Sequence, residues 1–250
     1  MGRMIIKILI ISSLFINAVI APAWAEDQFG GFKQYVDGES LKPFTRDLGS
    51  VLGSATFHSG RPLGFSGFDV GARGGLRLKP HKDNKVLRDR GVKAFGLPWV
   101  QAEIGLPFRL DGYIRGISFQ GLTIAGGGLR WSIRRAVDKP RVPQFLLAWS
   151  GHSVTHRDFT ASHFGLNLIS SITMGWMTPY FGVGADRTTV VVRCIPDRNP
   201  NLEGASTTTT EPRFTAGFSI RPKTYIYLHA AFTTTDDWNN GFSSGIGIRF

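Results

Sequence analysis

Ser150 and His152 stand two residues apart in the segment 144–154, so on a strand they point the same way, and His156 joins them if that strand runs on. A serine whose hydroxyl loses its proton to a neighbouring imidazole is the nucleophile of ester hydrolysis, so the pair raises a lipid hydrolase. No carboxylate or amide stands nearby in sequence to orient the imidazole, and an i, i+2 pair reads first as polar residues on one strand face. His152, His156 and His163 raise metal binding, but no Asp, Glu or Cys at ligand spacing completes the set, so neither metal nor cofactor is expected.

Gly126-Gly127-Gly128 lacks the GK[ST] ending of a phosphate loop and lies in a strand pattern, where it reads as close packing. Arg77, Lys79, Lys82, Lys85, Arg88, Arg90 and Lys93 are opposed only by Asp83 and Asp89. In an exported chain such a loop meets lipopolysaccharide or lipid phosphate rather than nucleic acid, or is simply a solvated loop. Cys194 is the only cysteine, so no intramolecular disulfide is available, and it reads as a small side chain at a strand end after Val190-Val191-Val192.

The elements that must carry these residues are strands. The 250 residues include 31 glycines and are 42% hydrophobic, which excludes disorder and favours crowded strands and tight turns. Arg3, Lys7, the apolar run 4–20 and the ending Ala21-Pro22-Ala23-Trp24-Ala25 have the layout of a secretory signal peptide over 1–25. Cleavage after Ala25 removes two of 29 basic residues and none of 18 acidic ones, which leaves 27 − 18 = +9. Beyond it no apolar run reaches a spanning helix, and strand segments read at 65–78, 100–105, 112–119, 122–133, 144–154, 159–171, 178–194, 213–220, 225–233 and 241–250.

Many of these segments alternate. Phe68, Val70, Ala72, Leu76 and Leu78 share one face, against Asp69, Gly71, Arg73, Gly75 and Arg77 on the other. A soluble sandwich would alternate too. Export, the lack of disulfides, and Trp99, Trp131, Trp149 and Trp176 near segment ends as interface aromatics tilt the choice to an outer-membrane barrel with an apolar lipid face and a glycine-rich polar lumen. The expected fold is all-β: an antiparallel transmembrane β-barrel of about 12 strands, within roughly 10 to 14, with a short N-terminal helix. Phe242, Ile246, Ile248 and Phe250 complete the apolar face of the last strand, which resembles the terminal signature read by the barrel assembly machinery.

Leu41, Phe44, Leu48 and Val51 fall at near-helical spacing, with Gly49 as a stop, so a short helix precedes the barrel, either a solvated periplasmic tail or a plug that would hide the Leu41, Phe44 and Leu48 stripe. The domain expectation is a signal peptide over 1–25, an N-terminal helical segment over 26–50 that is either a tail or a plug, and an outer-membrane barrel over 51–250. Residues 199–211, with Thr207–Thr210, read as a long mobile loop, 221–223 as a turn at the Phe250 end, and 80–94 as a segment on that same side.

Lys42-Pro43-Phe44, Phe57-His58-Ser59-Gly60-Arg61-Pro62, Gly67-Phe68-Asp69, Gly105-Leu106-Pro107 and Gly126-Gly127-Gly128-Leu129-Arg130-Trp131 resemble a group of outer-membrane barrels distantly akin to FadL-type transporters. The resemblance implies uptake of apolar molecules through a lumen gated by an N-terminal segment. The expected function is passive passage or capture of a small hydrophobic or amphipathic ligand, with Asp69, Arg73, Arg77, Glu103, Arg115, Arg130 and Arg249 as lumen candidates. A closed structural or partner-binding barrel is the alternative, and a barrel hydrolase a third. Expected partners are outer-membrane lipid, lipopolysaccharide and the assembly machinery, with no nucleic acid.

Overall fold

Ten strands close on themselves, each antiparallel to its neighbours. The computed structural model describes residues 27–135, 140–194, 199–235 and 240–250, and the signal-peptide reading over 1–25 lies outside them. The strands are β1 (Phe68–Arg77), β2 (Phe95–Leu106), β3 (Leu110–Phe119), β4 (Leu122–Ser132), β5 (Pro143–Thr155), β6 (Phe159–Ile172), β7 (Met177–Val192), β8 (Ser206–Ile220), β9 (Ile226–Thr235) and β10 (Asn240–Arg249). The barrel is closed by β1 against β10, from Asp69↔Arg249 to Arg77↔Gly241. Alternation explains each wall: β1 turns Asp69, Arg73 and Arg77 inward, and Phe68, Val70 and Ala72 outward.

The count is therefore 10, at the low end of the expected range and below the expected 12. Each of the ten sequence segments became one strand. Thr207–Thr210 is not a mobile loop but the start of β8, paired from Thr207↔Val190 to Thr210↔Arg187. Four consecutive β-branched residues suit a pleated strand better than a loop. Residues 80–94 lie at the end opposite Phe250, because Arg77 pairs with Gly241 and Leu78 N–H donates to Asn240. An even strand count returns β1 and β10 to one end, so the first hairpin connection must sit at the other.

Before the wall come α1 (Phe32–Tyr35) and α2 (Leu41–Leu52), and α3 (Lys85–Arg88) sits in the connection after β1. Asp37 and Ser40 set the entry to α2 reciprocally: Ser40 N–H donates to Asp37 Oδ1 (2.7 Å) and Asp37 N–H to Ser40 Oγ (2.9 Å). The helix does not stop at Gly49 but runs to Leu52, with Gly53 as its cap. Gly49 has a different reason: a Cβ there would collide with Thr188 of β7. The glycine lets the helix lie against the wall.

Candidate functional site: a threaded and filled lumen

The N-terminal segment runs the length of the barrel. Asp47 on α2 meets Arg77 (2.8 Å), His81 and Asn84 at the end opposite Phe250. Gly60 N–H reaches Ser171 Oγ (2.9 Å), and Leu63 N–H reaches Asp111 (3.1 Å), both at the Phe250 end. The chain thus enters at one mouth, descends through the lumen and turns into β1 at the other.

Wall side chains hold this thread by its backbone. The last carbonyls of a helix lack intrahelical donors and carry the negative end of its dipole. Arg213 of β8 supplies donors to Ser50 O (3.1 Å) and Gly49 O (3.2 Å), while Arg115 of β3 donates to Leu52 O and to Ser54 O (3.2 Å). Further down, Arg73 donates to Ala55 O (3.4 Å) and Thr56 O (3.3 Å), and Gln101 also reaches Thr56 O (3.3 Å). Asp186 holds Arg213 in place (Nε to Oδ2 2.5 Å), and a Cβ on Gly53 would displace both.

The lumen has two halves of different chemistry. Toward the end opposite Phe250, Phe29, Phe32, Leu41, Phe44, Leu48 and Leu52 pack against Phe95, Leu97, Trp99, Leu122, Phe159 and Val190 of the wall. Phe44 meets Phe159 edge-on with centroids 5.2 Å apart. Burial of each such side chain is worth about 1.5–3 kcal/mol. Lys85 of the covering connection reaches Asp37 (2.6 Å) and Val86 and Leu87 enter the same core, while Arg90 donates to Asp27 O (3.0 Å). Burial pushes the Asp37 carboxyl up, but donors from Lys85 and Ser40 outweigh it and hold it below its ordinary 3.8.

Toward Phe250 the lumen is mainly ionic, with a small apolar cluster of Phe57, Leu146, Ile169 and Tyr180 beside it. Glu103 lies between Arg73 (2.7 Å) and Arg130, and accepts from Gln101 (2.7 Å). Asp69 accepts from Tyr227 (2.7 Å), on whose ring His58 stacks at 4.1 Å, and Arg130 faces Asp111 at 3.9 Å. A cavity of about 10 Å³ between α2 and the wall, lined by Ser50, Ser54, Arg77 and Thr233, holds one water at most.

All seven lumen candidates face inward: Asp69, Arg73, Arg77, Glu103, Arg115 and Arg130 are buried and Arg249 half-buried. Leu41, Phe44 and Leu48 are buried inside the barrel, and Phe242, Ile246, Ile248 and Phe250 are exposed on its outside. Gly126 and Gly128 face inward, where a Cβ would press on His152 and on Tyr113, as close packing requires. Ser150 donates to Gly165 O (3.4 Å), and His152 is taken by Arg115 (2.6 Å). Carboxylates face other histidines instead: Asp186 lies 3.7 Å from His163, Asp158 3.8 Å from His156 and Asp69 3.9 Å from His58. Among the described residues no three His, Cys, Asp or Glu are grouped to hold a metal ion. Trp99 is not an interface aromatic but is buried in the lumen, with the Arg115 guanidinium 4.6 Å over its ring. Trp149 lies mid-strand in the outer wall, Trp131 is half-buried near the end of β4, and among the described residues only Trp176 is well exposed at a turn. Arg213 and Asp186 were missed, although both lie on the inward parity of segments 178–194 and 213–220, with Tyr180 and Thr215 on the same faces.

The outside is the reverse of a soluble protein. Val100, Ile104, Ile114, Leu129, Phe164, Phe181, Phe214 and Ile248 are all exposed. On β6 the outward face over 164–172, nine residues, carries Phe164, Leu166, Leu168 and Ile172 with only Ser170 polar among them, against the roughly 9–11 needed to cross a bilayer by a tilted strand. Phe65, Phe108, Trp176, Tyr225 and Phe250 ring the Phe250 end as an aromatic girdle. Among the described residues no helix is long and apolar enough to cross a membrane. A closed antiparallel wall with an apolar exterior and its charged side chains turned inward is an outer-membrane β-barrel.

No family model matches the chain. In fold it is similar to the N-terminal β-barrel domain of Pseudomonas aeruginosa OprF, at 11% identity over 75% of this chain and 99% of that one, with a TM-score of 0.40. It is also similar to Ail of Yersinia pestis (11% identity, 74% and 97% covered, TM-score 0.36) and to Neisserial surface protein A (12%, 73% and 94%, TM-score 0.32). An 81-residue stretch, 32% of the chain, is 37% identical to leucine–tRNA ligase of Christiangramia forsetii but spans only 8% of that enzyme, too little to carry its activity here.

Proposed function

We propose that the protein is a sealed outer-membrane barrel, a structural or partner-binding element whose N-terminal segment is a built-in plug, with Phe250 on the periplasmic side. The observation that carries this reading is the capping of the α2 C-terminus by Arg213 and Arg115, two wall side chains that would keep only Asp186 and His152 as hydrogen-bond partners, with the remaining guanidinium donors unmatched, if the segment withdrew. Passage of small hydrophobic molecules, the function implied by the FadL-type resemblance, would need the same segment to move, together with the Phe29, Phe44 and Phe159 core around it. The hydrolase reading gains no support from Ser150, whose surroundings leave no room for an ester. Lipopolysaccharide around the 80–94 connection and the assembly machinery at the Phe250 strand are the partners this reading favours.

Planar-bilayer recording tests it. The wild type is expected to give no steady ion conductance, and the double variant Arg115→Ala/Arg213→Ala to open channels. A wild type that conducts steadily overturns the sealed reading.

A further inference from the structure

The two ends of the barrel differ in charge. The turns at the Phe250 end, 107–109, 133–142, 173–176 and 221–225, carry Arg109, Arg134, Arg135, Arg141, Arg221 and Lys223, and their described residues include no acid; Asp138 lies outside the described residues. At the mouth itself three arginines come together. Arg249 points inward from β10 and donates to Pro62 O (2.6 Å), beside Arg61 of the threaded segment. Its own N–H donates to Tyr225 O (2.8 Å), which brings in the 221–225 turn. Arg61 and Arg221 both lie within charge range of Arg249.

The nearest carboxylates are engaged deeper. Glu103 serves Arg73 and Arg130, Asp69 serves Tyr227 and Arg73, and Asp111 takes Leu63 N–H. The carbonyl oxygen of Phe250 accepts from Phe68 N–H (3.2 Å). Half-buried guanidiniums of like charge repel, and burial together with the charge of Arg61 lowers the pKa of Arg221. A planar fork of donors meets a tetrahedral oxyanion bidentately, which a lysine cannot do.

We propose that Arg221 and Arg249, with Arg61 at their edge, form an anion cradle at the Phe250 mouth that takes a phosphate group, either dissolved or on a phospholipid headgroup. The cradle faces the periplasmic side in the orientation proposed above, but its chemistry does not depend on whether the lumen is sealed.

The test uses the full barrel in maltoside, which carries no phosphate. One arm titrates inorganic phosphate and follows the ³¹P linewidth; the other adds phosphatidylglycerol and counts bound lipid by native mass spectrometry. Arg221→Gln alone and with Arg249→Gln should weaken binding about tenfold or more, the scale of one charge-assisted hydrogen bond. Arg221→Lys should retain part of it, and Lys79→Gln at the other end should change nothing. Heat-modifiable migration checks that each variant folds, and the single turn variant covers failure of the double one. Phosphate binding lost in Arg221→Gln supports a dissolved anion as the source, and lipid retention lost in it supports a headgroup. No binding in either arm, or binding indifferent to Arg221→Gln, overturns the cradle.

Discussion

The half of the lumen around Phe44 and the half around Glu103 solve the same problem by different physics. Both must hold a threaded segment inside a wall that is wide for side chains alone: ten strands exceed the roughly eight whose interior side chains can fill. Near Phe44 the solution is area. Phe29, Phe32, Leu48 and Leu52 meet Phe95, Leu97 and Phe159 as the faces of a soluble core meet, with no requirement on direction. Near Glu103 it is direction. Glu103 and Asp69 there have named arginine or tyrosine donors, and the segment is held by its carbonyls as well as by Phe57 against Tyr180 and His58 on Tyr227. An apolar half tolerates repacking, whereas an ionic half fixes one path for the thread because any other leaves charge uncompensated.

The strongest test of that contrast is Glu103→Ala, which strands Arg73 and Arg130 together. Removing one partner of a buried pair costs about 3–5 kcal/mol, and with two arginines exposed at once the loss should reach the upper end. Urea unfolding of the vesicle-inserted barrel reads it. Glu103→Gln should recover little, since it keeps shape but not charge. Recovery by glutamine would mean that Glu103 acts as a packed polar group and that the ionic half is not ionic in effect.

Leu48→Ala comes next, at about 3 kcal/mol for a buried leucine in a well-packed site. Here the conservative variant should rescue: Leu48→Met keeps volume and should lose under about 1.5 kcal/mol. If methionine is as damaging as alanine, the packing around Leu48 is as directional as the charges below it, and the contrast between the halves fails.

The wall was largely legible in the sequence, while the contents of the lumen were legible only as a list. Alternation marks which residues of β1 face inward, so Asp69, Arg73 and Arg77 could be read directly. That Arg77 meets Asp47 on a helix thirty residues earlier could not, because it depends on where the thread lies. Trp99 misled because an aromatic near a segment end looks like a girdle residue, yet β2 begins at Phe95 and carries Trp99 into the lumen. Gly49 misled for a related reason: a glycine that stops a helix and one that lets a helix touch a strand are the same letter, and only Thr188 opposite distinguishes them. The run Thr207–Thr210 is polar enough for a loop and branched enough for a strand, and the pairing with β7 decided it.

The smallest effect belongs to the cover over the apolar half, where Lys85 ties the connection after β1 to Asp37 at 2.6 Å in partial exposure. Surface pairs of this kind contribute little and are screened by salt. The direction in pH still follows. Asp37 is held below its ordinary 3.8, so its contribution is complete above that value and is lost as pH falls through its lower folded value. Lys85 is raised above 10.5 by Asp37, so its contribution is complete below 10.5 and is lost as pH rises through its folded value. The tie therefore operates across the whole range between. Titration of the Asp37 carboxyl by NMR should give a midpoint below 3.8 that returns toward it in Lys85→Gln, while trypsin cuts 78–94 several-fold faster at neutral pH and the barrel still migrates as folded. A midpoint that stays low without Lys85 would assign the shift to Ser40 alone. The cover would then be held by Val86 and Leu87, and the apolar half would extend to its own lid.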